Sequence, residues 1–301
     1  MRIGYPCINR GIGCTGGRTF RLKSYSDERL VDAVQNNLEC LGAMLRYNVA
    51  HNMLFFRITS DLVPFASHPV CRFDWVGQFT RTFADLGAYA GSHGVRISMH
   101  PDQFVLLNSP SEGVTARSIA ELAYHSHVLD AMGLGPDAKI QIHVGGVYGD
   151  KEGSIARFID RCVRLDARVR RRLAIENDDR LFGLADCLFI NTRTGVPVVF
   201  DWFHHQMLPS GEHLPDALTS TAATWTPADG PPIVDYSSQQ PGARPGSHAE
   251  SIDMHDFEEF LTSSRPHDFD LMLEIKDKEA SASKAVFAAR TDPRFALAGR
   301  T

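Results

Sequence analysis

Histidine and carboxylate side chains recur where the apolar runs of this sequence end. The runs RITSDLVPFASH, RISMH, KIQIH, RLAIE, VVFDWFH and DLMLE finish on His68, His100, His143, Glu176, Asp201 with His204, and Glu274. Imidazole nitrogen and carboxylate oxygen together suit divalent ions such as Zn²⁺ or Mn²⁺. A single histidine at a strand end is more often a packed, hydrogen-bonded side chain than a ligand. Six such ends in one chain point instead to a polynuclear centre gathered by the fold. Glu176 is expected to bridge two ions about 4 Å apart, the arrangement that hydrolyses phosphodiesters. Asn177 and Asp178, next in the run ENDD, are expected to orient neighbouring ligands. Asp201 and His204 form a D-x-x-H pair on one strand end and its loop. His248, in the Gly/Pro-rich loop SQQPGARPGSHAES, stays open between ligand, proton shuttle and surface residue.

Ligands spaced about one βα unit apart need a fold that brings strand ends together. Eight strand-like runs lie at 2–7, 54–59, 96–100, 139–146, 172–178, 197–203, 232–238 and 270–277. Most are nearly continuous in hydrophobicity, as parallel strands covered on both faces should be. Stretches with helical period follow, among them 27–52, 75–94, 113–133 and 154–173, with Gly94 and Gly133 at C-cap positions. The count predicts an α/β fold, a (β/α)₈ TIM barrel with its site at the C-terminal ends of the strands. One domain over 1–301 is expected, with a core to about 290 and a short C-terminal tail; the irregular stretch 206–231 allows only a short helix. His51, His93, His125, His127, His255 and His267 fall in helices or connections and read as surface or structural.

Composition narrows the class. The chain has 301 residues, 43% of them hydrophobic, and no apolar run long enough to span a bilayer. Its start, MRIGYPCINRG, has no signal-peptide pattern, so a cytoplasmic protein is expected. Six cysteines without CxxC spacing are read as reduced and mainly structural. A net charge of −5 argues mildly against a nucleic-acid partner. Two or three divalent ions would add roughly +4 to +6 and reverse the local field.

The blocks ISMHPDQF (97–104), IHVGGVYGDK (142–151), ENDD, VFDWFHH (199–205), DYSSQ, GSHAE and LMLEIKDKE (271–279) carry a more specific signal. With GYPCIN (4–9) and RITSDLVPFASH, they resemble the UV damage endonuclease family over nearly the whole chain. That resemblance implies a barrel related in architecture to endonuclease IV and the sugar isomerases. It implies incision of damaged double-stranded DNA immediately 5′ of UV photoproducts, both cyclobutane dimers and 6-4 photoproducts, in some members also abasic sites. The products carry a 3′-hydroxyl and a 5′-phosphate. The cofactors implied are two or three divalent ions, typically Mn²⁺, with Zn²⁺, Mg²⁺ or Co²⁺ as alternatives. No organic cofactor, no membrane and a monomer are expected. Carried over residue by residue, the ligands are His68, His100, His143, Glu176, Asp201, His204, His248 and Glu274, with Glu176, His248 and Lys278 as catalytic residues.

One departure stands out. Where the family usually has Lys-x-His before its Y-S-S run, this chain has Ile233 and Asp235. Asp235 is expected to offer oxygen to a metal, while Ile233 cannot, so a third metal site is expected to be weakened, remodelled or filled by another ion. Lesion reading is expected to rest on DNA deformability, because a photodimer stacks poorly. Tyr5 and Gln103 match probing positions of the family, Phe104 adjoins Gln103, and Asn9, Arg18, Lys151 and Arg244 complete the expected DNA contacts. The first loop, with Arg10, Arg18, Arg21 and Lys23, reads as a flexible basic clamp, and Lys276 and Lys278 add cations near strand ends. The run RLDARVRRRL (164–173) reads as a solvated face at the opposite end of the barrel. Rival readings are an abasic-site endonuclease, a sugar-isomerase-like metal barrel, and a damage-binding protein with impaired catalysis.

Overall fold

Successive side chains of a β-strand point to opposite faces, and here the two faces differ in chemistry. The computed structural model describes residues 1–297. Its strands are β1 (Ile3–Cys7), β2 (Phe55–Ile58), β3 (Arg96–Met99), β4 (Lys139–His143), β5 (Leu173–Glu176), β6 (Val198–Asp201), β7 (Ile233–Tyr236) and β8 (Asp270–Leu273). Each pairs in parallel with the next, and β8 pairs with β1 to close the barrel. The connections hold α1 (Asp27–Ala50), α2 (Trp75–Ser92), α3 (Glu112–Ala131), α4 (Lys151–Arg164), α5 (Ala167–Arg170) and α6 (Leu184–Thr194). Beyond them come α7 (Trp202–Met207), α8 (Leu214–Ala222), α9 (Met254–Ser263) and α10 (Glu279–Ala289). The fold is the expected TIM barrel. None of these helices is long and apolar enough to cross a membrane.

Outward-facing residues such as Tyr5, Phe56, Ile97, Ile140, Ile175, Phe200, Val234 and Leu273 form one core with the helices. Inward-facing residues fill the lumen in layers. An apolar layer holds Phe55, Ala174, Val199, Ile233 and Met272, with Trp225 packed against it. Ile233 therefore belongs to the lumen packing and takes no part in the polar mouth. Toward the N-terminal ends of the strands the lumen is plugged by charge. Arg2 and Arg96 both reach Asp270 Oδ2, at 2.9 and 3.0 Å, while buried Lys139 pairs with Asp229. Toward the C-terminal ends the inward positions are Arg57, Gln141, His143, Glu176, Asp201 and Asp235, and all but half-buried His143 are fully buried.

Side-chain oxygens start the helices. Ser26, Asp74 and Asp150 accept from Arg29, Gly77 and Gly153 N–H groups at the heads of α1, α2 and α4. Gly94 and Gly133 take φ of +67° just after α2 and α3, a left-handed conformation that costs glycine little.

Several sequence expectations need correction here. The helix expected over 154–173 is broken: α4 stops at Arg164, and Asp166 caps the single turn α5. The charge run is not wholly solvated. Arg172 is buried, and its guanidinium donates to the Leu134, Gly135 and Ala138 carbonyls and to Asp130, closing the turn after α3. The cysteines are not all reduced, because Cys14 and Cys40 form a disulfide. The first loop folds back along α1, where Asn37 holds the backbone of Arg18 through both its N–H and its carbonyl. Loop and helix meet only in three dimensions, so spacing along the chain did not reveal the pair. That anchoring also contradicts a free clamp. Residues beyond 290 do not hang loose, since Asp292 is buried and Ala296 N–H donates to the Met1 carbonyl; residues 298–301 of the expected tail lie outside the described residues.

Candidate metal centre at the barrel mouth

Parallel strands in register set their last inward residues side by side. His143 is level with Glu176 and Asp201 with Asp235, while His100 follows β3 directly. Glu176 is central. Its Oε2 lies 3.2 Å from His100 Nε2 and 3.7 Å from His143 Nε2, and its Oε1 lies 3.2 Å from His204 Nδ1. Asp201 Oδ2 lies 3.4 Å from the same His204 nitrogen. Two groups result, His100–His143–Glu176 and Glu176–Asp201–His204, each with ligand atoms within 4.8 Å of one another.

The electrostatics are those of a carboxylate wrapped in imidazoles. Burial alone would raise Glu176, yet His143, His100 and His204 hold it well below the usual carboxylate range. Burial pushes Asp201 well above that range. His204 is raised to about 11 against its burial, because Asp201 and Glu176 favour its cation. Four buried atoms at the mouth, Arg57 Nε, His143 Nδ1, Asp201 Oδ2 and Asp235 Oδ1, have no hydrogen-bond partner among the described residues. An unpaired buried polar atom costs about 1–3 kcal/mol. A divalent ion would satisfy Asp201 Oδ2, and the mixed nitrogen–oxygen donors suit such an ion. The residues present fit the group.

Supporting contacts orient the donors. His100 Nδ1 donates to the Pro101 carbonyl at 2.8 Å, which leaves Nε2 facing Glu176. Asn177 clasps the backbone of Asp201 through two bonds of 2.9 Å, and its carbonyl lies 3.0 Å from His204 Nδ1. Asp201 Oδ1 caps α7 by accepting from His204 N–H at 2.7 Å, which explains the D-x-x-H spacing. Asp178 does not orient a ligand. Its carboxylate accepts from the N–H groups of Arg180, Leu181 and Phe182 and shapes the loop after β5.

His248 and Glu274 also reach the mouth. His248 Nδ1 donates to the Glu274 carbonyl at 2.7 Å, its ring lies 6.3 Å from that of His204, and it lines a cleft of about 360 Å³ with His100 and His143. Gln103, Phe104, Arg244 and Lys278 border an adjoining cleft that also reaches His100 and Glu274. Phe104 is 74% exposed.

Other expected site residues are elsewhere. His68 lies in the loop beyond β2, with Nδ1 accepting from Val70 N–H, joins neither ligand group and borders a cleft with Asp102 and Phe104 of the loop after His100. Asp235 is at the mouth, where its Oδ2 accepts from Arg57 at 2.7 Å and Gln141 at 2.6 Å while its Oδ1 is buried without a hydrogen-bond partner among the described residues. Tyr5 faces the helices and is fully buried, with its hydroxyl donating to Asn48 Oδ1 and accepting from Asn9 Nδ2. Tyr5 and Asn9 are thus both buried and bonded to each other. Lys151 is paired with Asp186 at 2.7 Å and Arg18 with Asp32 at 2.9 Å, so both cations have local partners.

Two mouth residues escaped the sequence reading. Arg57 joins Asp235, Glu274 and Gln141, and Gln141 links onward to Glu176. The available signal was period two: in KIQIH the polar residues Lys139, Gln141 and His143 alternate with isoleucines, which places all three in the lumen.

The profile of the family described as UV-endonuclease UvdE matches residues 1–289. A UV DNA damage endonuclease of Bacillus cereus (strain Q1) is 35% identical over 289 residues, covering 93% of this chain and 91% of that protein. A crystal structure described as SacUVDE has a TM-score of 0.92 at 44% identity, covering 96% of this chain and 98% of that one. Endonuclease IV from Thermus thermophilus shares the fold, with a TM-score of 0.57 at 19% identity over 84% of this chain and 93% of that one.

Proposed function

This chain belongs to the UV-endonuclease UvdE family, and on that premise we propose that it is a metal-dependent DNA-repair hydrolase. In this reading it nicks the backbone immediately 5′ of UV photoproducts and leaves a 3′-hydroxyl and a 5′-phosphate. The observation that supports it most is the single carboxylate of Glu176 shared by two three-ligand groups at the barrel mouth. Divalent ions bound there, of which manganese is our choice, supply an activated water and neutralise charge on the phosphate. His100, His143, Glu176, Asp201 and His204 are the residues that would hold them.

The rest of the chemistry falls to the chain's own groups. His248 Nδ1 is spent on the Glu274 carbonyl, so Nε2 is the nitrogen available to move a proton. Lys278, beside Glu274, and Arg244 border the same cleft and offer positive charge to phosphate oxygens. Gln103 and exposed Phe104 follow His100 by a few residues and are placed to press into a weakened base step.

Relaxation of supercoiled plasmid, with and without prior UV irradiation, tests the proposal in buffer containing Mn²⁺. Irradiated plasmid should be nicked and its new ends should prime a DNA polymerase. Equal nicking of both plasmids would defeat lesion specificity, and loss of priming would defeat the end assignment. Phe104→Ala should cut the preference for irradiated over intact plasmid roughly tenfold, since base–aromatic stacking is worth about 1–3 kcal/mol. At 74% exposure its removal should leave thermal stability almost unchanged. An unaltered preference would remove Phe104 from lesion recognition.

A further inference from the structure

The connection from β4 to α4 begins beside His143 and holds an exposed tyrosine by unusual means. Tyr148 is 45% exposed, yet its backbone takes φ of +48°, a left-handed conformation that strains a residue with a bulky side chain. Its ring lies back over Gly146, where a Cβ would come within 3.0 Å of the ring's Cζ. Arg157 of α4 stands 5.9 Å from the ring centroid, in range for a cation–π contact. Its Nε donates to the Asn108 carbonyl at 2.9 Å and its Nη2 to Ser154 Oγ at 2.8 Å, and no carboxylate pairs with it among the described residues. Ser154 Oγ in turn donates to the Val147 carbonyl at 2.8 Å. Fully buried Asn108 donates from Nδ2 to the Gly146 carbonyl at 2.8 Å. Asn108 belongs to the same β3–α3 connection as Gln103 and Phe104, so one set of contacts braces both loops.

Core packing does not account for the strain, because nearly half of Tyr148 stays exposed. We propose that Tyr148 and Arg157 form a lesion-independent contact to the DNA strand beside the damage. The Tyr148 ring stacks on a base or sugar, and the Arg157 guanidinium faces a phosphate. Loops that follow the strands of such a barrel share the face that carries the site, so DNA seated over the mouth meets Tyr148 as well as Phe104. Every base offers a π-face to an aromatic ring, and a guanidinium without a carboxylate partner suits phosphate oxygens. Neither interaction reads damage. Phe104 selects the lesion, and Tyr148 holds the strand on which it lies. A ring already fixed over Gly146 loses little freedom on binding, which favours affinity. The inference rests on the DNA reading above.

Two measurements in Mn²⁺ buffer test it: the Kd for intact labelled duplex by fluorescence anisotropy, and the KM for nicking of irradiated duplex. Tyr148→Ala should raise both roughly tenfold, the scale of base–aromatic stacking. Tyr148→Phe keeps the π-face and should stay within about threefold of wild type on both. Tyr148→Gly relaxes the left-handed backbone, so it should melt no lower than Tyr148→Ala yet bind no tighter, and it covers the case in which Tyr148→Ala does not fold. Unchanged Kd in folded Tyr148→Ala, or weakening for irradiated duplex alone, would overturn the proposal. So would a Tyr148→Phe as weak as Tyr148→Ala, or a Tyr148→Gly that binds like wild type, since the ring would then not be the contact. A wild type that neither binds intact duplex nor nicks irradiated duplex would instead remove the DNA reading beneath it.

Discussion

Glu176→Gln is expected to slow nicking of irradiated plasmid by at least about a thousandfold, equivalent to about 4 kcal/mol of transition-state stabilisation. The substitution preserves shape but removes the charge shared by the His100–His143 and Asp201–His204 sides. Each of those sides is then left without its carboxylate bridge, so both ions should be lost together rather than one at a time. The fold should tolerate the change, because an amide still accepts from Gln141 and no longer leaves a fully buried anion among protonatable rings. The measurement is single-turnover nicking in saturating Mn²⁺, with metal content read on the same sample. Activity within tenfold of wild type, with two ions retained, would unseat Glu176 as the centre of the site.

At the other end of the barrel the largest expected effect is on stability. Asp270→Ala removes the carboxylate that receives Arg2 N–H at 2.7 Å, Arg2 Nη1 at 2.9 Å and Arg96 Nη1 at 3.0 Å. Arg96 would keep its carbonyl partners on Asp137, Pro231 and Asp229, but its charge would be buried without a counter-ion. Breaking one partner of a buried pair costs about 3–5 kcal/mol. For a chain of this size the melting midpoint should fall by roughly 6–12 °C. Thermal unfolding followed by circular dichroism checks it, and a fall below about 2 °C would show that the carbonyls alone suffice for Arg96.

Much of this was legible in the sequence for a physical reason. Parallel strands covered on both faces need apolar residues throughout, so a histidine or carboxylate at the end of each run is conspicuous. His100, His143, Glu176 and Asp201 stood out that way, and His204 through its spacing from Asp201, and the structure brings their ligand atoms together. His68 lies outside both groups, because the apolar segment that carries it continues past Ile58 without remaining a strand. Asp235 does stand at the mouth, but its pairing with Arg57 was not legible, since that residue lies on a strand far away in the chain. The burial of Tyr5 and Asn9 was not legible for a different reason: strand-end position does not say which way a side chain points, and Tyr5 has outward parity with Ile3. The Cys14–Cys40 pair depends on a loop folding along a helix, a contact with no local periodicity to announce it.

The loop after His100 keeps two tasks apart. The groups proposed to hold ions are anchored at the ends of short, buried strands, while Gln103 and Phe104 ride on an exposed excursion beyond them. Exchange of residues in that excursion can retune which distorted base step is chosen while leaving the hydrolytic apparatus in place. Evolution, or a protein engineer, therefore has a compact handle for shifting the enzyme toward other helix-distorting lesions without rebuilding the barrel.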